Sequence, residues 1–319
     1  MRANKTVTIL WALSSLGVSA ANADVSVVTS IKPVHSLVSG VMQGVGSPTV
    51  IIEGAGSPHT YSLKPSQAKQ LQDADLVFWM GDELEPFLRG PIQNIAKNAK
   101  SIKLIEARGL KKIKFREGGM FDEHDDHDDH EHDKHAKDDH DDHGHGEYDP
   151  HVWLDPINAK AIVHEIEEAL VKADPKNAKE YKANADRIAG ELDQLVKELR
   201  AQFQPVQQKG FIVFHDAYQY FEQRFGVSAI GSITVSPEVM PGAERVSELR
   251  NKIRGLKATC IFSEPQFEPK LVRTLVEGTG ARAGVLDPLG ASLTKGPNLY
   301  FQLVREMARS LKECLSAKS

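Results

Sequence analysis

Phe211-Ile212-Val213-Phe214 is a short, unbroken apolar run that stops at His215. A strand with no polar residue on either side has to be covered on both faces, as strands in helix-covered parallel sheets are. Parallel neighbours cannot be joined by a tight hairpin, so the run commits the chain around it to alternating strands and helices. His215 follows at the carboxyl end of the strand, where open parallel α/β sheets hold their ligands. A histidine there is equally compatible with a buried, hydrogen-bonded core residue. Its reading therefore depends on what other segments bring to the same edge.

The alternation extends in both directions. In the first half, strands are expected at 25–29, 49–52, 75–79 and 101–105, with helices at 32–43 and 66–73. In the second half, strands at 227–233, 259–262 and 284–286 alternate with helices at 242–256, 268–278 and 298–315. Residues 156–172 form a connecting helix, and 175–203 read as one long helix. Its apolar positions, among them Tyr181, Ile188, Leu192, Leu195 and Leu199, recur three or four apart in one narrow stripe. The stripe suits either a coiled-coil dimerisation surface or a rigid backbone laid across both halves of its own chain. The shortness of the repeat and the small residues Ala178 and Ala185 favour the second. The expected organisation is an amino-terminal α/β lobe over 24–155, connecting helices over 156–204 and a carboxyl-terminal α/β lobe over 205–319.

Arg2 and Lys5 precede an apolar run over 7–18, and Ala21-Asn22-Ala23 supplies an A-x-A cleavage pattern. Residues 1–23 therefore read as a secretory signal peptide, and the apolar run is too short to span a bilayer. The mature chain is expected to begin near Asp24 and to be exported, most simply to a periplasm. In that oxidising setting Cys260 and Cys314, the chain's two cysteines, point to a disulfide. Closing a loop of about 55 residues, such a bridge contributes about 4 kcal/mol in the loop-entropy model. A thiolate metal site or nucleophile is the alternative.

Charge is concentrated in one block. Between Arg116 and Glu147 there are fourteen acidic and three basic residues, a net of −11. The rest of the mature chain is left at about +4, with no basic stripe, which argues against nucleic acid as a partner. The block reads as an insert over 116–148. It holds eight of the chain's thirteen histidines: His124, His127, His130, His132, His135, His140, His143 and His145. A segment of this composition cannot bury a core and is expected to be disordered when metal-free. It is either a solvated acidic linker or a weak, multi-site binder of zinc, copper or nickel. An acidic linker does not need so many imidazoles, which favours metal.

Four further residues stand at ligand-bearing places. His59 lies in the turn-rich loop that follows the second strand, and His151 lies in Tyr148-Asp149-Pro150-His151-Val152-Trp153-Leu154-Asp155-Pro156. His215 and Asp287 end strands of the second half. Two facing α/β lobes would bring all four to one cleft, and three imidazoles with one carboxylate match a tetrahedral zinc site. Asp155-Pro156 reads as a helix N-cap followed by proline at the first helical position, rather than as a ligand. His35 and His164 fall on helices away from this set.

Pro58-His59-Thr60-Tyr61-Ser62-Leu63-Lys64-Pro65-Ser66, the His151 segment above, Phe214-His215-Asp216-Ala217-Tyr218-Gln219-Tyr220-Phe221 and Leu286-Asp287-Pro288-Leu289-Gly290 closely resemble the metal-specific substrate-binding proteins of bacterial ABC importers. The resemblance covers the whole mature chain. It implies two (β/α)4 parallel-sheet lobes joined by a long rigid helix, with the metal held between them by His59, His151 and His215. It also implies capture of periplasmic Zn2+ as cargo by a monomeric, non-enzymatic carrier, and delivery to an inner-membrane ABC permease. Manganese relatives usually carry Glu at the position of His215, and the His-rich insert looks like the zinc branch. Cys260 and Cys314 resemble a disulfide of some members. Asp287 matches a ligand position of manganese relatives. Pro58 stands where some zinc members carry an acidic residue, so Asp287 and water are the candidates for the fourth ligand. The rival readings are a zinc buffer or adhesin of the same fold, and a zinc hydrolase. The hydrolase reading lacks an H-E-x-x-H helix and a general base that can be named.

Overall fold

The computed structural model describes residues 25–116, 147–207, 209–234, 241–255 and 260–317. The expected signal peptide and all eight insert histidines lie outside the described residues.

Each half builds a four-stranded parallel sheet. The first contains β1 (Val27–Thr29), β2 (Thr49–Val50), β3 (Leu76–Trp79) and β4 (Lys100–Lys103), in the order β2-β1-β3-β4. The second contains β5 (Phe211–His215), β6 (Ala229–Thr234), β7 (Cys260–Ser263) and β8 (Arg282–Val285), in the order β6-β5-β7-β8. The two sheets repeat one topology. In each, the chain steps from the first strand to one side and then crosses to the other. The crevice between the first and third strands is thus a topological switch point, the place where such sheets bind ligands.

Around the sheets lie α1 (Lys32–Val41), α2 (Pro65–Gln72), α3 (Pro86–Asn94), α4 (Pro156–Ala173), α5 (Ala178–Phe203), α6 (Gln219–Phe225), α7 (Ala243–Gly255), α8 (Lys270–Val276) and α9 (Leu299–Ser316). Two of these, α3 and α6, have no counterpart in the sequence-based expectation. The reason for α3 is its content of Gly90 and Pro91, both poor helix formers. The α6 helix is only seven residues long and rich in aromatics, so it shows no helical period. It closes at Gly226, whose φ of 69° is a left-handed cap suited to glycine. Asp155 caps α4 as expected, accepting the Ile157 N–H at 2.8 Å, and it also forms a two-point ion pair with Arg224 of α6.

The long helix begins one turn later than expected, because Pro175–Asn177 forms a 3-10 turn first. Its stripe, Tyr181, Ala185, Ile188, Leu192, Leu195, Val196, Leu199 and Phe203, is buried within its own chain against α1, α4, α6 and α9. The apolar face that a coiled-coil partner would need is used internally.

The lobes do not carry separate main cores. One continuous apolar cluster runs from Val28 and Phe78 of the first sheet, through Leu192 of α5, to Phe211, Phe262 and Val304. A smaller cluster covers the far face of the second sheet, with Ile212, Phe214, Ile261, Leu249 and Val272. The pleat of β5 divides these two: Phe211 and Val213 point one way, Ile212 and Phe214 the other. That is why the strand reads as unbroken apolar sequence.

Polar contacts reinforce the junction. Lys32, buried at the start of α1, donates to the carbonyls of Gly290 (2.7 Å), Ala291 (3.0 Å) and Leu293 (2.6 Å) in the loop after β8. An ammonium has three N–H donors, and all are engaged across the lobes. Cys260, the first residue of β7, is bridged to Cys314 of α9 with a Cα–Cα distance of 6.2 Å, so the thiolate reading does not stand. Because the principal core is shared, the metal-free protein is expected to unfold in one calorimetric transition. Two well-separated transitions would show that the lobes are energetically independent.

Candidate metal centre

Three segments of different origin meet at the crevice. His59 comes from the loop between β2 and α2, and His215 is the last residue of β5. His151 enters through a strap that crosses from the first lobe to the second. One side of the strap is 111–116 and the other 147–151, joined by an antiparallel bridge between Lys114 and Tyr148 and by the Asp149 N–H on the Ile113 carbonyl at 2.9 Å. Arg116, Glu147 and Tyr148, read from sequence as ends of the insert, belong to this strap. The strap rests on α6. The Tyr220 hydroxyl donates to the Asp149 carbonyl at 2.8 Å and accepts the Ile113 N–H at 3.0 Å. After His151 the chain makes a 3-10 turn, Val152–Leu154. That turn is pinned by the Trp153 indole on the Pro288 carbonyl (3.0 Å) and by the Tyr300 hydroxyl on the Trp153 carbonyl (2.7 Å).

The three imidazoles converge. Their ring centroids lie 5.3 to 5.7 Å apart, and one ring nitrogen from each falls within 4.8 Å of the other two. Two rings are held from behind by carboxylates. His151 Nδ1 lies 2.7 Å from Asp149 Oδ1, and His215 Nδ1 lies 2.7 Å from Glu264 Oε1. A carboxylate acceptor places the proton on Nδ1 and leaves the Nε2 lone pair free, the arrangement that orients metal-binding histidines. His215 Nε2 is buried and has no hydrogen-bond partner among the described residues. An orphaned buried nitrogen of this kind is costly unless something binds it. Trp153, Phe267 and Leu289 line the surrounding cavity together with the histidines, and Phe267 also stacks on Phe214 at 4.6 Å.

The electrostatics follow from burial. Desolvation, with His215 nearby, pushes His151 well below the ordinary imidazole value, which keeps it neutral. For His215, burial acts downward, but the charge and hydrogen bond of Glu264, then Asp216 and Asp149, outweigh it and raise the imidazole. Burial raises Asp149 to about 7, against the opposing pull of the His151 N–H, His215, Arg116 and Gln219.

Asp287 is not brought into the group. Its Oδ1 accepts the N–H groups of Leu289 (3.1 Å) and Gly290 (2.9 Å) and the Gln266 side chain (3.0 Å), and its Oδ2 accepts Ala291 N–H at 2.6 Å. The carboxylate thus organises the loop that Lys32 grips from its carbonyl side. His35 is buried on α1 near Ser39, and His164 is exposed beside Glu167; neither approaches the three imidazoles. Asp149 and Glu264 are not among the candidate residues that the sequence suggests. Glu264 had a signal of the same kind as His215, since it too follows a buried strand at its carboxyl end, across the switch point between β5 and β7. Asp149 sits two residues before His151, close enough to support its ring.

The family model described as zinc-uptake complex component A, periplasmic (ZnuA) matches residues 27–314. The chain belongs to the ZnuA family. A high-affinity zinc uptake system protein ZnuA of Brucella suis biovar 1 is 54% identical over 315 residues, covering 94% of each chain. Its counterpart of Yersinia pestis is 39% identical, covering 92% of each. Among solved structures, a ZnuA deletion mutant with zinc bound superposes with a TM-score of 0.74 at 25% identity, covering 94% of this chain and 100% of that one. The family fold and the two sheets on either side of a long helix agree.

Metal needs neutral imidazole, and the raised His215 takes up its proton already above the ordinary histidine value. Metal affinity is therefore expected to fall as pH drops through a range beginning above about 6.5. In Glu264→Gln, burial no longer meets opposition from that carboxylate, so the fall moves to lower pH. Affinity at pH 8 drops by about 10- to 100-fold, because the ring has lost its orienting partner. Titration calorimetry with zinc between pH 5.5 and 8 measures both, and an unchanged profile in the variant would remove Glu264 from the site's support.

Proposed function

We propose that this chain captures Zn2+ in the periplasm and delivers it to an inner-membrane ABC permease, the metal being cargo. The observation that carries this reading is the convergence of one nitrogen from each of His59, His151 and His215 in a largely apolar cavity. Imidazole nitrogen suits zinc and its neighbours in the transition series, whereas calcium, magnesium and manganese favour oxygen. His59, His151 and His215 are the three protein ligands in this account. The fourth position goes to an exchangeable ligand such as water, because the oxygens of Asp287 are already engaged by four N–H donors. His59, on a loop and less buried than the other two, is the natural gate ligand for loading and release.

The similar proteins of Brucella and Yersinia are named for zinc uptake, and the expected signal peptide fits export. Among the described residues no helix is long and apolar enough to cross a membrane. The nearby carboxylates are engaged elsewhere, Asp149 and Glu264 with imidazole Nδ1 and Asp216 with Arg116, which supports a carrier over a hydrolase that would direct one of them at a metal-bound water. The internal use of the α5 stripe supports a monomer. In this reading the histidines of 116–148 form a weaker, accessory store that raises local zinc near the cleft.

Replacement of His59, His151 or His215 by Ala is expected to weaken zinc binding by more than about 100-fold, beyond the range typical of supporting residues. Asp287→Ala should change it far less. Competitive titration checks the affinities, and growth of a deletion strain in chelator, complemented by each variant, checks uptake. Full rescue by His215→Ala would contradict the reading.

A further inference from the structure

Beside the imidazoles lies an ionic cluster with no place among the ligands or their carboxylate supports. Arg116, on the strap, donates through Nε and Nη2 to the two oxygens of Asp216 at 2.9 and 2.6 Å. Through Nη1 and Nη2 it also reaches both oxygens of Glu222 at 3.1 and 2.7 Å. The three side chains are only 22%, 11% and 6% exposed, so this is an interior cluster and not a surface pair. Glu222 Oε2 further accepts the Ala229 N–H at 3.0 Å, which ties the cluster to β6.

We propose that Arg116 is a positioning residue for the metal site: by clamping Asp216 to the strap it sets the separation of His151 and His215. This rests on the reading of the three imidazoles as the zinc site. Asp216 directly follows His215, and Glu222 lies on α6. Arg116 lies two residues after Lys114, which bridges Tyr148 on the other side of the strap, and that side carries Asp149 and His151. The guanidinium therefore joins the segment holding one imidazole to the segment holding another. Gln219 adds a neutral link of the same sense, reaching the Lys114 carbonyl at 3.4 Å and Asp149 Oδ2 at 3.2 Å.

The chemistry requires arginine. A planar fork meets two carboxylates with paired hydrogen bonds, whereas an ammonium is a single point charge that cannot reproduce that geometry. Opening a buried pair strands charge in the interior, so the clamp resists separation of the strap from β5. A preformed spacing between two ligands in turn lowers the ordering cost of binding the ion. His59 arrives from a separate loop, so the clamp acts on the His151–His215 pair.

The test uses the mature full-length chain, with zinc affinity by competitive titration, zinc loss by stopped-flow with a chelator, and the apo thermal midpoint measured in parallel. The variants are Arg116→Gln, Arg116→Lys, Asp216→Asn and the double Arg116→Gln/Asp216→Asn. Arg116→Gln is expected to lose at least about tenfold in affinity, mostly as faster zinc loss. Asp216→Asn should lose a similar factor, the double variant little more than either, and Arg116→Lys should recover part of the loss. If Arg116→Gln fails to fold, Asp216→Asn carries the test, since it keeps the Arg116–Glu222 pair. Arg305→Gln, which opens an exposed pair with Glu198, should bind zinc as the parent does. A lower thermal midpoint with unchanged zinc affinity and release in Arg116→Gln and Asp216→Asn would overturn the proposal and leave the zinc site standing. Parent-like affinity in His215→Ala would overturn both.

Discussion

The centre depends on two hydrogen bonds, His151 Nδ1 to Asp149 and His215 Nδ1 to Glu264. Each fixes a ring's rotation and its tautomer, and so decides that Nε2 faces the crevice with its lone pair free. Without them neither ring would have a fixed rotation or tautomer. Both carboxylates are themselves placed by the backbone. Asp149 is held in the strap by the Tyr220 hydroxyl on its carbonyl, and Glu264 emerges from the carboxyl end of β7 beside β5. The geometry of the site is thus inherited from sheet topology and from one inter-lobe strap.

The frame around the centre is built to hold still. A carrier with two independently packed lobes could open and close about a hinge. Here the main core passes through both sheets and α5, and Lys32 fastens the loop after β8 from across the junction. Separating the lobes would expose that core, at a cost of several kcal/mol, and break the three hydrogen bonds of Lys32. Ligand exchange by movement of single loops, above all the loop that bears His59, costs far less. The smaller cluster on the outer face of the second sheet, which backs Phe214 and Phe267 beside His215, is the part of the second lobe not joined to the main core.

Much of this was legible in the sequence, for identifiable reasons. The β5 run announces a doubly covered strand, since alternate residues enter two different cores. The stripe of α5 announces a long buried helix face, and Asp155-Pro156 announces a helix start. The three histidines stood out by their places: His59 in the loop after β2, His151 in the approach to the helix that leaves the first lobe, and His215 at the end of β5. Asp287 stood out on the same grounds, yet its carboxylate is turned into its own loop by backbone amides, a contact that no spacing rule foresees. The supporting residues were hidden for a related reason. Glu264 and Arg116 act on partners about 50 and 100 residues away, and one-dimensional periodicity carries no information about such pairs. Helix α3 escaped because Gly90 and Pro91 suppress the helical signal that tertiary packing restores.

The central claim is that zinc is held by three imidazoles and not by the carboxylate of Asp287. X-ray absorption at the zinc edge, on protein lacking residues 121–146 and loaded with one equivalent of zinc, tests it most directly. The account predicts scattering from three imidazole rings at about 2.0–2.1 Å plus one further light atom, unchanged in Asp287→Ala. A spectrum with two imidazoles, or one that loses a ligand when Asp287 is replaced, would contradict it.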